Sequence, residues 1–214
     1  MNSANMAEQH LNIAQSHSKR FLHVGCGPQN KSGLKGFNSE DWREIRFDID
    51  KAVAPDIEGT LTDMTAVESS SMDALYSSHN IEHVFPHEVS IALKEFHRVL
   101  KPDGIAVITC PDLQSVCEAV AKDRLLEALY VSPAGPIAPI DILYGHRGFM
   151  AQGQVYMAHK CGFTYSTLQS SVLEAGFRNV FGGARPQAFD LWLLAFKQEV
   201  TEEAMRKAAA LYLP

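Results

Sequence analysis

The residues with the clearest chemical possibilities begin at Phe21–Asn30, FLHVGCGPQN, where an apolar run stops at Gly25-Cys26-Gly27-Pro28. A strand ending in such a turn lets a ligand approach bare backbone, because neither glycine carries a side chain. Asp48, in RFDID, follows 21 residues beyond Gly27, where a second strand should end. A carboxylate in that place can accept hydrogen bonds from both hydroxyls of a ribose. Asp63, in LTDM, should end the third strand and could accept from an adenine amino group, with Met64 covering the ring face. Either aspartate alone is equally a solvated turn residue or a cap. Together, at consecutive strand ends, they point to a nucleoside.

The turn also excludes ligands. A dinucleotide fingerprint needs G-x-G-x-x-G running into a helix, whereas here Asn30 stands in the third glycine's place. The following KSGLKGFNSEDW is turn-like, so the helix N-terminus that would neutralise a pyrophosphate is short or missing. No Gly-Lys-Ser/Thr follows, which rules out a P-loop. A nicotinamide-dependent oxidoreductase is therefore disfavoured.

Histidines supply a second group. His79, His83 and His87 fall four residues apart in HNIEHVFPH and would share a face on one helix. Pro86 interrupts that helix, because proline disfavours helical geometry at the residue before it. The three do not align, no metal site is expected, and His83 reads as a packed, hydrogen-bonded residue. Further on, His146, Arg147, Tyr156, His159 and Lys160 sit in an irregular stretch rich in Pro, Gly, Tyr and His, about residues 130–162. Long irregular segments in compact domains commonly serve as lids or binding loops. There His146 and His159 could take a proton from an acceptor, and Arg147 and Lys160 could hold an anionic group. Cys26 has no Cys/His/Asn constellation around it and is read as a small filler rather than a nucleophile.

These residues need a scaffold. RFLHV, EIRFDI, a weaker DIEGTLTD, MDALYSSH and GIAVITCP read as strands, being short, apolar and rich in β-formers. Between the last two, Leu93, Phe96, Val99 and Leu100 recur at helical spacing until Lys-Pro-Asp-Gly turns the chain. TYSTLQSSVLEAGF reads as another helix, capped by Thr164 or Ser166 and stopped at Gly176. NVFGGAR and DLWLLAF complete seven strands, the last two being antiparallel neighbours at the sheet edge. Alternating strands and helices predict an α/β fold: a doubly wound, Rossmann-like three-layer sandwich whose mostly parallel sheet ends in an antiparallel strand.

Composition sets the outer bounds. A chain of 214 residues, 46% hydrophobic and 21% charged, fits one soluble domain over 19–214 with a loose arm over 1–18. A net charge of −6 argues against a nucleic-acid partner. No secretory h-region or membrane-length apolar run occurs, and the four cysteines are scattered, which suits the cytoplasm.

Taken in order, FLHVGCGP, REIRFDID, PDIEGTLTDM, MDALYSSHNIEHV and EFHRVLKPDGIAVITCPD resemble the small class I S-adenosylmethionine-dependent methyltransferases, closest to the type 11 methyltransferase domain. HKCGFTYSTLQSSVLEAGFRNV is similar to the tail of that group, so the resemblance runs over about residues 19–197. It implies S-adenosylmethionine as cofactor. Gly25, Cys26 and Gly27 would line its methionine part, Asp48 with Ile49 its ribose, and Asp63 with Met64 its adenine. Ser78 and His79 would lie beside the methyl donor. His79, His146 and His159 are then the candidate catalytic residues, and Arg147, Tyr156 and Lys160 the candidate contacts to a small-molecule or saccharide-like acceptor. The expected protein is a monomer or homodimer. A non-catalytic partner that keeps the fold remains the alternative.

Overall fold

In the computed structural model, residues 18–214 are described; the expected arm, apart from its last residue, lies outside the described residues. Among the described residues, nine strands form two sheets. The main sheet has the order β3-β2-β1-β4-β5-β9-β8, and β6 and β7 make a separate hairpin. Its strands are β1 (Lys19–Val24), β2 (Trp42–Asp48), β3 (Ile57–Glu58), β4 (Met72–Ser78), β5 (Leu100–Pro111), β8 (Asn179–Arg185) and β9 (Asp190–Phe196). The first five run parallel, and β9 enters antiparallel between β5 and β8. The seven-stranded, mostly parallel sheet predicted from the sequence is borne out.

The central strands have no water-facing side. Phe21, Leu22 and Val24 of β1 and Ala74 and Leu75 of β4 are fully buried, as expected where both faces of a parallel sheet are covered. One face is covered by α1 (Val89–Val99), whose Ala92, Leu93, Phe96 and Val99 point inward, and by α5 (Tyr165–Glu174) through Leu168 and Val172. Thr164 caps α5 as expected, and Gly176, at φ +112°, ends it. After α1 the chain bulges through residues 101–104 before β5 pairs regularly from Ile105, because Met72 pairs Leu100 while Ala74 pairs Ile105.

The opposite face differs from the usual pattern. Parallel neighbours β1 and β2 need a crossover, yet the link between them holds only a 3₁₀ turn, Lys31–Gly33. The sequence argument for a missing helix is thus met in the structure. The gap is filled from the far end of the chain by α6 (Glu202–Tyr212), an element the sequence reading did not assign. Its Tyr212 packs 4.9 Å from Phe37 and 6.5 Å from Trp42, and Lys35 Nζ donates to the Leu213 carbonyl. Gly36, at φ +81°, has no room for a side chain, since a Cβ there would stand 2.4 Å from the Tyr212 ring. Also unassigned were α2 (Leu113–Ala121) and the β6–β7 hairpin, Tyr130–Ser132 with Gly135–Ile137. Two short helices, α3 (Pro139–Tyr144) and α4 (Arg147–Ala151), complete the inserted stretch. No helix among the described residues is long and apolar enough to cross a membrane.

Register fixes where a site can form. Val24 pairs with Phe47 on one side and with Ser77 on the other, so the loops after β1, β2 and β4 leave the same sheet edge together. The order reverses between β1 and β4, and that is where open α/β sheets bind ligands. If α6 stands in for the missing crossover helix, Tyr212→Ala should cost about 3 kcal/mol, the scale for emptying a buried aromatic site. Urea unfolding measures this; a loss below about 0.5 kcal/mol would show α6 to be dispensable to the core.

Candidate active site at the sheet switch point

Gly25 and Gly27 both sit in the left-handed region, at φ +59° and +51°, where a residue with a Cβ is strained. Gly25 is also sterically sealed: a Cβ would fall 1.9 Å from Asn80 Oδ1. Asn80 is held there by donating Nδ2 to the Val24 carbonyl at 2.8 Å and to that of Ser78 at 3.2 Å. Gly27 has nothing within 4 Å of its Cβ position, so its bare face is open. Two side chains of β2 fix the turn. Asp48 accepts from Gly27 N–H at 2.8 Å and from Asp50 N–H at 2.9 Å, and Arg46 donates to the Gly27 carbonyl and to Val53 and Ala54.

Above this turn lies a cavity of about 630 Å³, within the range of small-molecule sites, about 300–1,000 Å³. One wall comes from the strand ends: Gly25, Gly27, Asp48, Ile49, Asp50 and, after β3, Gly59 to Thr62. The other comes from Asn80, His83 and Val84 after β4 and from Phe149, Gln154, Tyr156, Met157 and Lys160 of the inserted stretch. A latch joins the two, with Tyr156 O–H donating to Asp50 Oδ2 at 3.1 Å. Lys160 holds its ammonium 4.8 Å from the Phe85 ring centroid. Of the expected residues, Gly25, Gly27, Asp48, Ile49, Tyr156 and Lys160 therefore meet at one cavity.

Others do not. β3 is only two residues long, so Asp63 falls in a turn beyond it and spends its carboxylate on Thr65 N–H and Oγ at 3.1 and 2.8 Å. Met64 is fully buried in the core; Thr60, Leu61 and Thr62 take the wall position expected of this pair. Cys26 turns inward at 2% exposure, and burial pushes its thiol up to about 11, which suits a filler. Ser78 lies at the end of β4 off the cavity wall. Arg147 is engaged in a two-pronged ion pair with Asp141, at 2.6 and 3.0 Å, rather than facing the cavity. His146 caps α4, its Nδ1 accepting from Phe149 N–H at 3.3 Å. Asp63, Arg147 and His146 are each diverted by a local backbone or charge need that spacing alone does not reveal.

The remaining histidines form a cluster. The expectation that His79, His83 and His87 do not share a helix face holds, because Ile81–His83 is a 3₁₀ turn and α1 starts only at Val89. His87 is exposed and stacks on Phe85. His79 adopts φ +52°, a strained conformation for histidine, and its Nδ1 lies 3.5 Å from the buried Glu82 carboxylate. Burial disfavours the charged form of His79, but Glu82 outweighs it and raises the pKa; Glu82 is lowered, its burial outweighed chiefly by His79. His159, behind the cavity wall, packs its ring edge-to-face against His83 with centroids 4.8 Å apart. Burial lowers its pKa, so it is neutral at pH 7.

A glycine turn, an acidic strand end and a cavity meet at the switch point, where open α/β sheets bind ligands. Residues 22–108 match the family model described as a methyltransferase domain. Over those residues the chain is similar to methyltransferase domains. Solved structures agree on the fold. An S-adenosylmethionine-dependent methyltransferase from Archaeoglobus fulgidus superposes with a TM-score of 0.54 at 15% identity, covering 92% of this chain and 95% of that one. The 1,6-didemethyltoxoflavin-N1-methyltransferase of Burkholderia thailandensis, solved with 1,6-didemethyltoxoflavin and S-adenosylhomocysteine, gives 0.52 at 14% identity, covering 90% of this chain and 77% of that one. A possible exported protein from Bordetella parapertussis gives 0.57 at 14%, covering 90% and 68%. At these identities the likeness speaks for the fold alone. No curated protein shows significant similarity to the chain. The resemblance drawn from the sequence is borne out.

The inserted stretch owes part of its shape to the Asp141–Arg147 pair, whose guanidinium holds the Asp141 carboxyl down at about 2 against an ordinary 3.8. A depressed carboxyl pKa contributes stability that is complete above the unfolded value and is lost as pH falls through the folded one. Hydrogen exchange in residues 138–151 should therefore accelerate between about pH 4 and pH 2. Asp141→Asn should show the faster exchange already at pH 7. Equal protection in variant and wild type would remove this anchoring role.

Proposed function

We propose that the chain transfers a methyl group from S-adenosylmethionine to a small polar acceptor bound under the stretch 149–160. The observation that carries this reading is the single cavity shared by the open glycine turn, the Asp48 carboxylate and that covering stretch. The residues suit the cofactor. The open face at Gly27 leaves room for the amino-acid tail. Asp48, using one lone pair of each oxygen on the turn, keeps others for the ribose hydroxyls. Ile49, 52% exposed despite being apolar, and Leu61 offer apolar faces to the adenine in place of Asp63 and Met64.

The cofactor supplies an activated methyl group on a sulfonium. The protein's part is placement and exclusion of water, which can provide much of the barrier reduction for an in-line displacement. The Tyr156–Asp50 contact ties the covering stretch to the wall that holds the ribose, so closure and cofactor binding reinforce one another. Lys160 is part of the cavity lining, and its positive charge suits an acceptor with an anionic or electron-rich group. His83 lines the cavity with its Nδ1 held 3.1 Å from the Ala158 carbonyl. The stretch about 130–162 thus acts as lid and acceptor site of one methyltransferase domain over 19–214. All four cysteines are free, which suits a reducing compartment such as the cytoplasm.

Calorimetry with S-adenosylhomocysteine tests the reading. Wild type should bind it and not NADH. Asp48→Ala should lose about 1–3 kcal/mol of binding, roughly ten-fold or more in affinity. Tyr156→Phe should lose at most about 1 kcal/mol and mainly speed dissociation. Binding of NADH in place of S-adenosylhomocysteine would overturn the cofactor. Cofactor binding without turnover on any of a panel of hydroxyl, phenol and amine acceptors would favour a non-catalytic role.

A further inference from the structure

We infer that Glu82, His83 and His159 form a binding site for one divalent transition-metal ion at the acceptor side of the cavity. Three independent features meet there. Glu82 is 1% exposed, and neither of its carboxylate oxygens has a hydrogen-bond partner among the described residues. The nearest polar group, His79 Nδ1, is 3.5 Å from Oε1, long for a hydrogen bond. Protonated His79 can pair with Oε1 across that gap, but Oε2 is left without a donor, a costly state for a buried carboxylate that a bound cation would relieve.

The two histidines are prepared in the way metal ligands are. His83 Nδ1 lies 3.1 Å from the Ala158 carbonyl, and His159 Nδ1 lies 2.6 Å from that of Ile142. A carbonyl only accepts, so both rings carry their proton on Nδ1 and leave a lone pair on Nε2. Backbone or carboxylate partners that fix the tautomer in this way accompany most metal-bound histidines. One ligand atom from each of Glu82, His83 and His159 comes within 4.8 Å of the other two. The donors of a tetrahedral zinc site stand roughly 3.4 Å apart, so side-chain shifts of about an ångström close it.

Two imidazoles and one carboxylate suit Zn²⁺, Mn²⁺, Fe²⁺ or Co²⁺, not Mg²⁺ or Ca²⁺, which take oxygen ligands. Three protein ligands leave coordination positions open, and His83 places them toward the cavity. The role that follows rests on the proposed methyl transfer; the binding of the ion does not. An acceptor hydroxyl beside the ion loses its proton to water more readily. The O–CH₃ bond then forms as the S–CH₃ bond breaks, and the sulfonium leaves as a neutral thioether.

The test uses the full chain, stripped with chelator and titrated with Zn²⁺ by calorimetry and with Co²⁺ by visible absorption. One ion per chain should bind, with Co²⁺ bands free of thiolate charge transfer. Glu82→Gln and His159→Ala should each weaken binding at least a hundred-fold while keeping the wild-type circular dichroism. Cys161→Ser, whose thiol neighbours Ile81, should bind as wild type does. No binding by wild type, or variants within three-fold of it, would overturn the site. S-adenosylhomocysteine titrated in the same preparations separates the two claims: ion binding without it leaves the metal site and removes the methyltransferase reading. Its binding without any ion removes the metal site alone.

Discussion

The site depends on how β2 holds the turn after β1. Gly25 and Gly27 occupy backbone conformations that only glycine adopts freely, and such a turn does not keep its shape unaided. Asp48 takes the Gly27 N–H from one side, and Arg46 takes the Gly27 carbonyl from the other. Asn80, from the loop after β4, closes the third side. Three neighbouring strand ends thus converge on two glycines. The cavity follows from that convergence, because the chain reverses strand order at this point and leaves a crevice.

The missing crossover helix has a consequence for the same turn. Without a helix after Gly27, the loop cannot present a helix N-terminus to a phosphate, and its anchoring falls to Asp48, Arg46 and Asn80. The sheet face left uncovered is sealed by Phe37, Trp42 and Tyr212, so α6 supports the segment that leads from the turn to β2. Local chemistry and distant packing are linked in this way: a turn with no crossover helix behind it also requires the C-terminal helix.

Much of this was legible in the sequence, for physical reasons. Buried parallel strands are nearly continuous apolar runs, so β1, β4 and β5 stand out, and Thr164 and Gly176 mark α5. Gly25, Gly27 and Asp48 were legible because glycine turns and strand-end acids have fixed offsets. Asp63 and Met64 were misplaced because β3 is far shorter than its β-rich sequence suggests, which moves the wall to Thr60–Thr62. Arg147 and His146 look free in sequence, but Asp141 and the α4 N-terminus claim them. The α6 pattern was available in Met205, Ala208, Ala209 and Tyr212 behind the Thr201 cap, although its partner surface is not local. The Glu82–His83–His159 grouping was hidden altogether: His159 comes from the inserted stretch, and only the fold brings it to the loop after β4. Spacing along the chain weighed only His79, His83 and His87, which lie near one another in sequence.

A crystal structure of the protein grown with S-adenosylhomocysteine tests the central claim most directly. The account predicts the ribose hydroxyls within hydrogen-bond distance of Asp48, the amino-acid tail over Gly27, and the adenine between Ile49 and Leu61, with the sulfur facing the His83 side of the cavity. Density for the ligand away from the glycine turn, or a ribose that Asp48 does not touch, would contradict it.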